Sequence, residues 1–419
     1  MADVDVCIVG GGLAGLACAR ELHRAGHSSI VLESEATPGG RVQTDVVDGF
    51  RLDRGFQILL TAYPEAQRVL DYGALDLRSF EPGGRIFRDG RFYDVGDPLR
   101  RPTTALQTLL APIGSVSDKL RILLLVARVR RGPAARLLRG PDGSTMQALV
   151  DAGFSPRIIE SFFRPFFGGI QLDPELEVSS RRFAIILRMI AEGDAAVPAR
   201  GMGEIPKQLA RSLPDGTVRT RSRVERLEGT TVRLESGEHV RARAVVVATD
   251  APSAATLLGI PPVVMRAASC VYFSAPTPPF DDPLIALDGA RSGPAKNVAV
   301  LTNLSRHYAP EGQALIVAAV PGALCRGPDG TLDDGNSLAD DVRKQLRGWF
   351  GDEVENWRHL RTYRIAAAHP DQRPPFDPKQ PVRLNSHHYV CGDHRDTASI
   401  QGALYSGRRT ARAISRDLG

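Results

Sequence analysis

The chain has 419 residues, of which 42% are hydrophobic and 24% charged, a composition that excludes peptide modules and disulfide miniproteins and predicts a packed protein of two domains or one elaborated domain. Its net charge of +5 comes from 53 basic against 48 acidic residues spread along the chain, and only five of the basic residues are lysines (Lys119, Lys207, Lys296, Lys344, Lys379). No basic run dominates, which argues against a nucleic-acid partner.

Five cysteines (Cys7, Cys18, Cys270, Cys325, Cys391) are an odd number without a close pair, and Cys7, Cys18 and Cys391 lie in apolar stretches. Buried thiols in a reducing, cytoplasmic setting are expected. The N-terminus, MADVDVCIVGGG, lacks a positively charged leader and runs straight into a strand, and no stretch approaches the roughly 18 apolar residues of a spanning helix.

The first element is a short β-branched strand, Val4 to Val9, that ends in Gly10-Gly11-Gly12-Leu13-Ala14-Gly15. Leu13, Leu16, Ala19 and Leu22 then recur at helical spacing, Gly26 supplies a stop, and Ser29 to Leu32 reads as a second strand ending at Glu33. Gly10, Gly12 and Gly15 have the order of a dinucleotide fingerprint: one for the tight turn, one for backbone approach to a pyrophosphate, one for close helix–strand packing. The helix start offers free N–H groups to phosphate, and Glu33, 18 residues beyond Gly15, is spaced to accept from a ribose hydroxyl. Beyond it, Glu35-Ala36-Thr37-Pro38-Gly39-Gly40-Arg41-Val42 adds a second glycine pair and an arginine that a nicotinamide enzyme does not need.

GGGLAG, Glu33 and GGRVQT together resemble the N-terminal signature of the flavin amine oxidase and phytoene desaturase superfamily, whose members bind FAD. The resemblance implies that Gly10, Gly12, Leu13, Ala14, Gly15, Glu33 and Ser34 hold the nucleotide and that Gly39, Gly40 and Arg41 lie against pyrophosphate and flavin. The C-terminus carries the second half of the likeness. Tyr389 to Asp393 reads as a strand ending in an acid, and Ser399-Ile400-Gln401-Gly402-Ala403-Leu404 opens a helix. By the resemblance, Gly392 and Asp393 meet the ribityl chain or phosphate, and the helix start at Ser399, Ile400 and Ala403 points its dipole at the flavin pyrimidine end. Backbone N–H groups there favour the negative charge of a reduced flavin.

Between the termini, Thr217 to Leu227 and Thr231 to Leu234 alternate like a hairpin around Glu228-Gly229, and Ala244 to Thr249 is a buried strand. The resemblance puts backbone near Val224 against the adenine. The fold class expected is α/β: a Rossmann-like FAD-binding domain of the GR2 flavoprotein type with an interleaved α+β substrate domain. The first domain draws on residues 1–75, 200–265 and 380–419, the second on 76–199 and 266–379, with strands at Cys270 to Phe273, Val298 to Leu301 and Leu315 to Val320.

Candidate chemistry is sparser. The family's amine oxidases carry an aromatic residue just before the flavin-contacting helix, and here Asp396-Thr397-Ala398-Ser399-Ile400 contains none, which weakens an amine substrate. Lys296 is the candidate for a lysine that holds water at the flavin, weighed against a loop lysine because Ser292-Gly293-Pro294 reads as a turn. Gln57 aligns with the stretch beside the flavin ring, as a hydrogen-bonding group to flavin or substrate or as a mere cap. Ser161-Phe162-Phe163-Arg164-Pro165-Phe166-Phe167 resembles the matching part of carotenoid desaturases, so Phe163, Phe166 and Phe167 either wall an apolar tunnel or pack a core. The arginine-flanked apolar helix from Lys119 to Arg131 reads foremost as a packed helix with solvated arginines, and secondly as one resting on a bilayer surface. Cys391, in a strand, is poorly placed for flavin attachment, so FAD is expected to be noncovalent. His387, His388 and His394 lack metal-ligand spacing and are expected at the surface, with no metal. Arg408, Arg409 and Arg412 are expected to complement the C-terminal dipole of the last helix.

The function expected is an FAD-dependent oxidoreductase that dehydrogenates a largely apolar small molecule. An amine or porphyrinogen oxidase releasing peroxide, a redox-neutral isomerase and a non-catalytic FAD scaffold remain open as alternatives.

Overall fold

Val4–Val9 forms the middle of a parallel sheet because it is a continuous β-branched run that can be covered on both faces. The computed structural model describes residues 2–98, 100–322 and 336–419. In chain order, the elements that bear on the site are β1 (Val4–Val9), α1 (Leu13–Arg24), β2 (Ser29–Leu32), β3 (Gly83–Arg88), β4 (Arg91–Gly96), α2 (Ala105–Leu110), α3 (Val116–Val129), α4 (Arg164–Gln171) and α5 (Ser180–Glu192). There follow β5 (Val218–Arg219), β6 (Val224–Glu228), β7 (Thr231–Leu234), β8 (His239–Val247), β9 (Met265–Ala275), β10 (Ile285–Asp288), β11 (Asn297–Val300), β12 (Ala314–Pro321), α6 (Asn336–Phe350), β13 (Arg358–Pro370), β14 (His388–Val390) and α7 (Ile400–Leu418).

The first sheet runs β5-β2-β1-β8-β7-β6, with β14 also paired to β8, so it gathers strands from three separated stretches of chain. β2, β1, β8 and β14 are parallel, and their C-terminal ends lie side by side at Leu32, Val9, Val247 and Val390. The stretch Thr217 to Leu227, expected as one arm of a hairpin, is instead divided. Val218–Arg219 extends the parallel sheet beside β2, Arg221 turns the chain with φ +52°, and only from Val224 does the antiparallel ribbon begin.

The second sheet runs β13-β9-β12-β11-β10-β3-β4 and is antiparallel except where β10 meets β3. Strand alternation splits β9 between two cores: Cys270 and Tyr272 join the main core, whereas Val271, Phe273 and Ala275 pack with Leu346 and Trp349 of α6. β9 and β12 are longer than expected, since Met265–Ala275 pairs along its length with both β12 and β13, whereas β11 has the expected length one residue earlier.

Two glycines set how the helices meet the first sheet. A Cβ at Gly15 would run into the Gly10 carbonyl oxygen, and one at Gly407 would run into that of Ala14. α1 is therefore held against β1 on one side and α7 on the other with no side chain between. Arg408 and Arg409, expected to serve the end of α7, sit in its middle: Arg408 pairs with buried Glu65, and Arg409 with Asp396 at 3.2 Å. Both pairs tie the last helix to the segments around it, Pro64–Val69 and the turn at Asp396.

His394 also departs from expectation. It is 7% exposed rather than on the surface, because the turn after β14 folds its ring against Gly392, and neither ring nitrogen has a partner. Burial pushes its imidazole down to about 4. Cys7, Cys18, Cys270 and Cys391 are buried free thiols, while Cys325 lies outside the described residues.

Two measurements test this packing. Gly407→Leu forces α7 away from α1 and lowers the unfolding free energy by about 1–3 kcal/mol in chemical denaturation, as overpacking does. For His394, the native pKa lies below the usual His value, so the unfolded chain binds the extra proton and stability falls as pH drops from about 6.5 to about 4. Up to about 3 kcal/mol is lost over that window. His394→Phe removes this share, and its denaturation midpoint is flatter with pH over the same range.

Candidate active site

The cavity lies where the parallel strands end. It has a volume of about 1140 Å3, more than the roughly 300–1000 Å3 of a single-ligand pocket, and its lining is mainly apolar. At one end are Gly10, Gly12, Leu13 and Ala14, where α1 begins. Gly10 takes φ +107°, and Gly12 caps α1 without any side-chain hydrogen bond, so the first N–H groups of the helix face the cavity uncapped. No acid occupies the first turn of α1. Gly15 is not on the wall; its role is the close packing described above.

Glu33, at the end of β2, is buried and lines the cavity with Ser34. Its carboxylate accepts from the Gly11 N–H at 2.8 Å and the Glu35 N–H at 2.8 Å, which fixes it at the strand end. Gly39 and Gly40 follow, both at positive φ, and Arg41 reaches across to the far terminus. Its guanidinium donates to Asp393 Oδ1 and to the Ala368 carbonyl, each at 2.5 Å. Burial by itself would raise the Asp393 carboxyl, but Arg41 beside it holds it below the usual carboxylate range. Gly392 and Asp393 thus meet Gly39–Arg41 across one wall. Val224 closes the nucleotide end, and Ser399, Ile400 and Ala403 bring in the start of α7.

Gln57 is also on the wall. Its side-chain amide donates to the Arg41 carbonyl at 2.9 Å, and its Oε1 is buried without a partner. Lys296 is not brought to the cavity. Buried Asp288 draws its ammonium (3.4 Å), along with the Gly293 carbonyl at 2.8 Å, and the alternation entering β11 presents the next residue, Asn297, to the wall instead.

The phenylalanine run does both things expected of it. Phe163 and Phe167 are fully buried and stack edge-on with Phe183, whereas Phe162 and Phe166 are partly exposed, and all four line the cavity. A π-helical turn over Ile159–Phe163 feeds directly into α4 and sets these rings on successive turns. Ile122, Leu125 and Val126 of α3 and Ile186, Leu187 and Ile190 of α5 complete an apolar chamber.

That chamber reaches the surface between α2 and α3. Of ten exposed large hydrophobic side chains among the described residues, seven lie between Leu106 and Leu124, and Leu109, Val116, Leu120 and Leu123 belong both to this patch and to the cavity wall. α3 cannot turn them inward. Its capping box at Ser115 and Asp118 is anchored by Ser155, which donates to Asp118 from both its backbone N–H (2.9 Å) and its hydroxyl (2.7 Å). Exposed Arg128, Arg130 and Arg131 flank the patch.

Several wall residues escape sequence reasoning. Ser222, Arg223 and Glu225 flank the expected Val224 in the ribbon, and Tyr63, Arg182 and His369 come from a loop, a helix and a strand remote in sequence. Arg182 is the one arginine or lysine buried outright among the described residues, at 3% exposure. Burial pulls its guanidinium down to about 10 and, with Arg182 next in effect, the His369 imidazole down to about 3. Arg182 follows Arg181 just before the apolar stretch Phe183–Leu187, and no sequence signal separates the two arginines.

Comparison with known proteins agrees with this geometry. The family profile described as "Flavin containing amine oxidoreductase" matches residues 13–415. The phytoene dehydrogenase of Streptomyces griseus is 28% identical over 294 residues, 61% of this chain and 56% of that protein. Protoporphyrinogen oxidase 2 of Arabidopsis thaliana is 25% identical over 173 residues, 41% of this chain and 33% of that protein. The matches thus span about half and a third of these two relatives. A solved oxidoreductase from Methanosarcina mazei superposes with a TM-score of 0.75 at 18% identity, covering 97% of this chain and all of that one. The fold is shared across its length, and no helix among the described residues is long and apolar enough to cross a membrane. With a glycine-lined cradle at one end of the cavity and a profile match over nearly the whole chain, the protein belongs to the flavin-containing amine oxidoreductase family.

Proposed function

We propose that the protein binds FAD noncovalently and dehydrogenates a largely apolar small molecule that it draws from a lipid surface. The observation that carries this reading is the continuity of the cavity, from the uncapped start of α1 through the phenylalanine chamber to the exposed leucines of α2 and α3. The site residues fit such a cofactor: uncapped amides for the pyrophosphate, Glu33 for a ribose, the Arg41–Asp393 pair beside the middle of the molecule, and the start of α7 for the flavin end. No cysteine among the described residues lines the cavity, which supports noncovalent binding. The buried free thiols favour a reducing compartment such as the cytoplasm.

The cofactor, when bound, supplies a hydride acceptor. The chain's own work is then to orient and to exclude water. Phe162, Phe163, Phe166 and Phe167 leave an apolar substrate little freedom except along the chamber. Gln57 Oε1, lacking a protein partner, is available to accept a hydrogen bond at the junction of chamber and cradle. The leucine patch with its arginine fringe suits the surface of an anionic bilayer, where apolar side chains enter the interface and cations meet lipid phosphates. A hydrocarbon substrate would pass from the lipid to the chamber without crossing water.

Two experiments decide between this and its rivals. Purified protein reconstituted with FAD and mixed anaerobically with phytoene in vesicles should lose its oxidised flavin absorbance and yield a product with an added double bond, with a quinone restoring the colour. Reduction only by an amine or a porphyrinogen, with stoichiometric peroxide in air, would replace the reading by an oxidase. In vesicle flotation, Leu106→Glu with Leu124→Glu, both off the cavity wall, should weaken binding to anionic vesicles at least tenfold and leave flavin content unchanged; equal flotation of variant and wild type would remove the lipid surface from the proposal.

A further inference from the structure

Arg182 carries a charge that the chain itself leaves unanswered. It projects from the first turn of α5, its side chain is buried, and it forms no ion pair among the described residues. The nearby carboxylate, Asp393, is already taken by Arg41 at 2.5 Å. A buried, unpaired cation costs several kcal/mol unless an anion offsets it. Buried Glu65 and Asp173 have arginine partners, Arg408 and Arg266 (3.0 Å), and Glu33 on the cavity wall is held by the Gly11 and Glu35 N–H groups.

The position of the guanidinium is set by Gln372. Arg182 Nη1 donates to Gln372 Oε1 at 2.9 Å, the same oxygen accepts from the Ala398 N–H at 3.0 Å, and Gln372 Nε2 is tied to the Asp396 carbonyl at 2.7 Å. One amide side chain therefore locks the cation to the turn that starts α7. Tyr63 stands beside both Arg182 and Ser399, and His369 faces the same part of the wall. The positive end of a 19-residue helix and a buried guanidinium are thus brought together at one end of the cavity. The chamber toward α3 and the phenylalanines is apolar.

We propose that Arg182 is the counter-charge for an anionic group at the start of α7, and that this group is the pyrimidine edge of the reduced flavin. The proposal rests on the FAD reading above. When bound, the ring system would take a hydride from a substrate C–H bond, the substrate would lose a proton from the neighbouring carbon to solvent as its double bond forms, and the ring would hold one added negative charge until two electrons and a proton pass on to a quinone or dioxygen. Arg182 favours the charged form and so raises the reduction potential. Acting beside the ring through the field and through Gln372, it is a positioning residue with no part in proton transfer. A substrate carboxylate is the other source of an anion for the same spot.

The test compares Arg182→Gln, Arg182→Lys and wild type, each reconstituted with FAD, by sulfite titration and by dye-linked reduction. Sulfite adds to oxidised flavin to give an anionic adduct, so its affinity reads the same stabilisation without any substrate. Arg182→Gln should lower sulfite affinity at least tenfold and shift the midpoint potential negative, by about 30 mV for each tenfold in a two-electron couple. Arg182→Lys should recover most of both. Gln372→Leu, which unhooks the guanidinium but keeps its charge, should move both readings the same way by a smaller factor, and it decides the matter if Arg182→Gln does not fold. Flavin-loaded variants with unchanged sulfite affinity and potential would overturn the proposal, and a rise in KM alone would assign the anion to the substrate. Failure of the wild type to take up flavin would sink the FAD reading itself, a result distinct from either.

Discussion

The absence of a side chain at two points on α1 governs the geometry of the site. Gly15 lets the helix close onto the Gly10 carbonyl at the end of β1, and Gly407 lets α7 close onto the Ala14 carbonyl from the other side. Because protein interiors are close-packed and do not deform smoothly, contacts of this kind fix axes as well as distances. With α1 gripped between β1 and α7, both helices must start at the same edge of the parallel sheet. Two positive helix ends then converge on one cavity, although the residues that form them are almost four hundred positions apart.

The charges in the cavity follow from that convergence. Two helix starts and two cationic side chains, Arg41 and Arg182, face a space whose buried carboxylates are Glu33, held by backbone N–H groups, and Asp393. Asp393 answers Arg41 and stays ionised despite burial because of it. What remains is Arg182 and the start of α7, with no carboxylate paired to them, while another part of the cavity carries phenylalanine, leucine and isoleucine. A single cavity thus divides by polarity into a part suited to an anionic dinucleotide and a part suited to a hydrocarbon.

The exposed leucines belong to the same division. An apolar chamber that opened through a polar surface would fill with water at its mouth. Here the mouth is made by Leu109, Val116, Leu120 and Leu123, and the Asp118–Ser155 hydrogen bonds keep α3 from rotating them out of the way. Singly, such residues would need no explanation; clustered at the entrance of a chamber, they extend its chemistry to the surface.

The sequence by itself determined the glycine-rich half of the cavity. Val4 to Gly15 with Glu33, the Gly39–Arg41 turn and the Gly392–Asp393 strand end were legible because they are local: a strand, a turn needing glycine and a helix start lie within a few residues of each other, and short-range spacing records them. The tertiary structure decided what depends on long-range approach. Burial of His394 required knowing that its turn folds back on Gly392. The division of Thr217–Leu227 between two sheet partners was set by β2, which no alternation within the segment can reveal. Lys296 went to Asp288 instead of the cavity because one buried carboxylate needed a cation. Arg182 and Gln372 lie 190 residues apart, and only the packing of α5 against the turn before α7 makes them one site. Side chains whose roles come from such meetings carry no periodic or motif signal, since what selects them is a neighbour from another part of the chain.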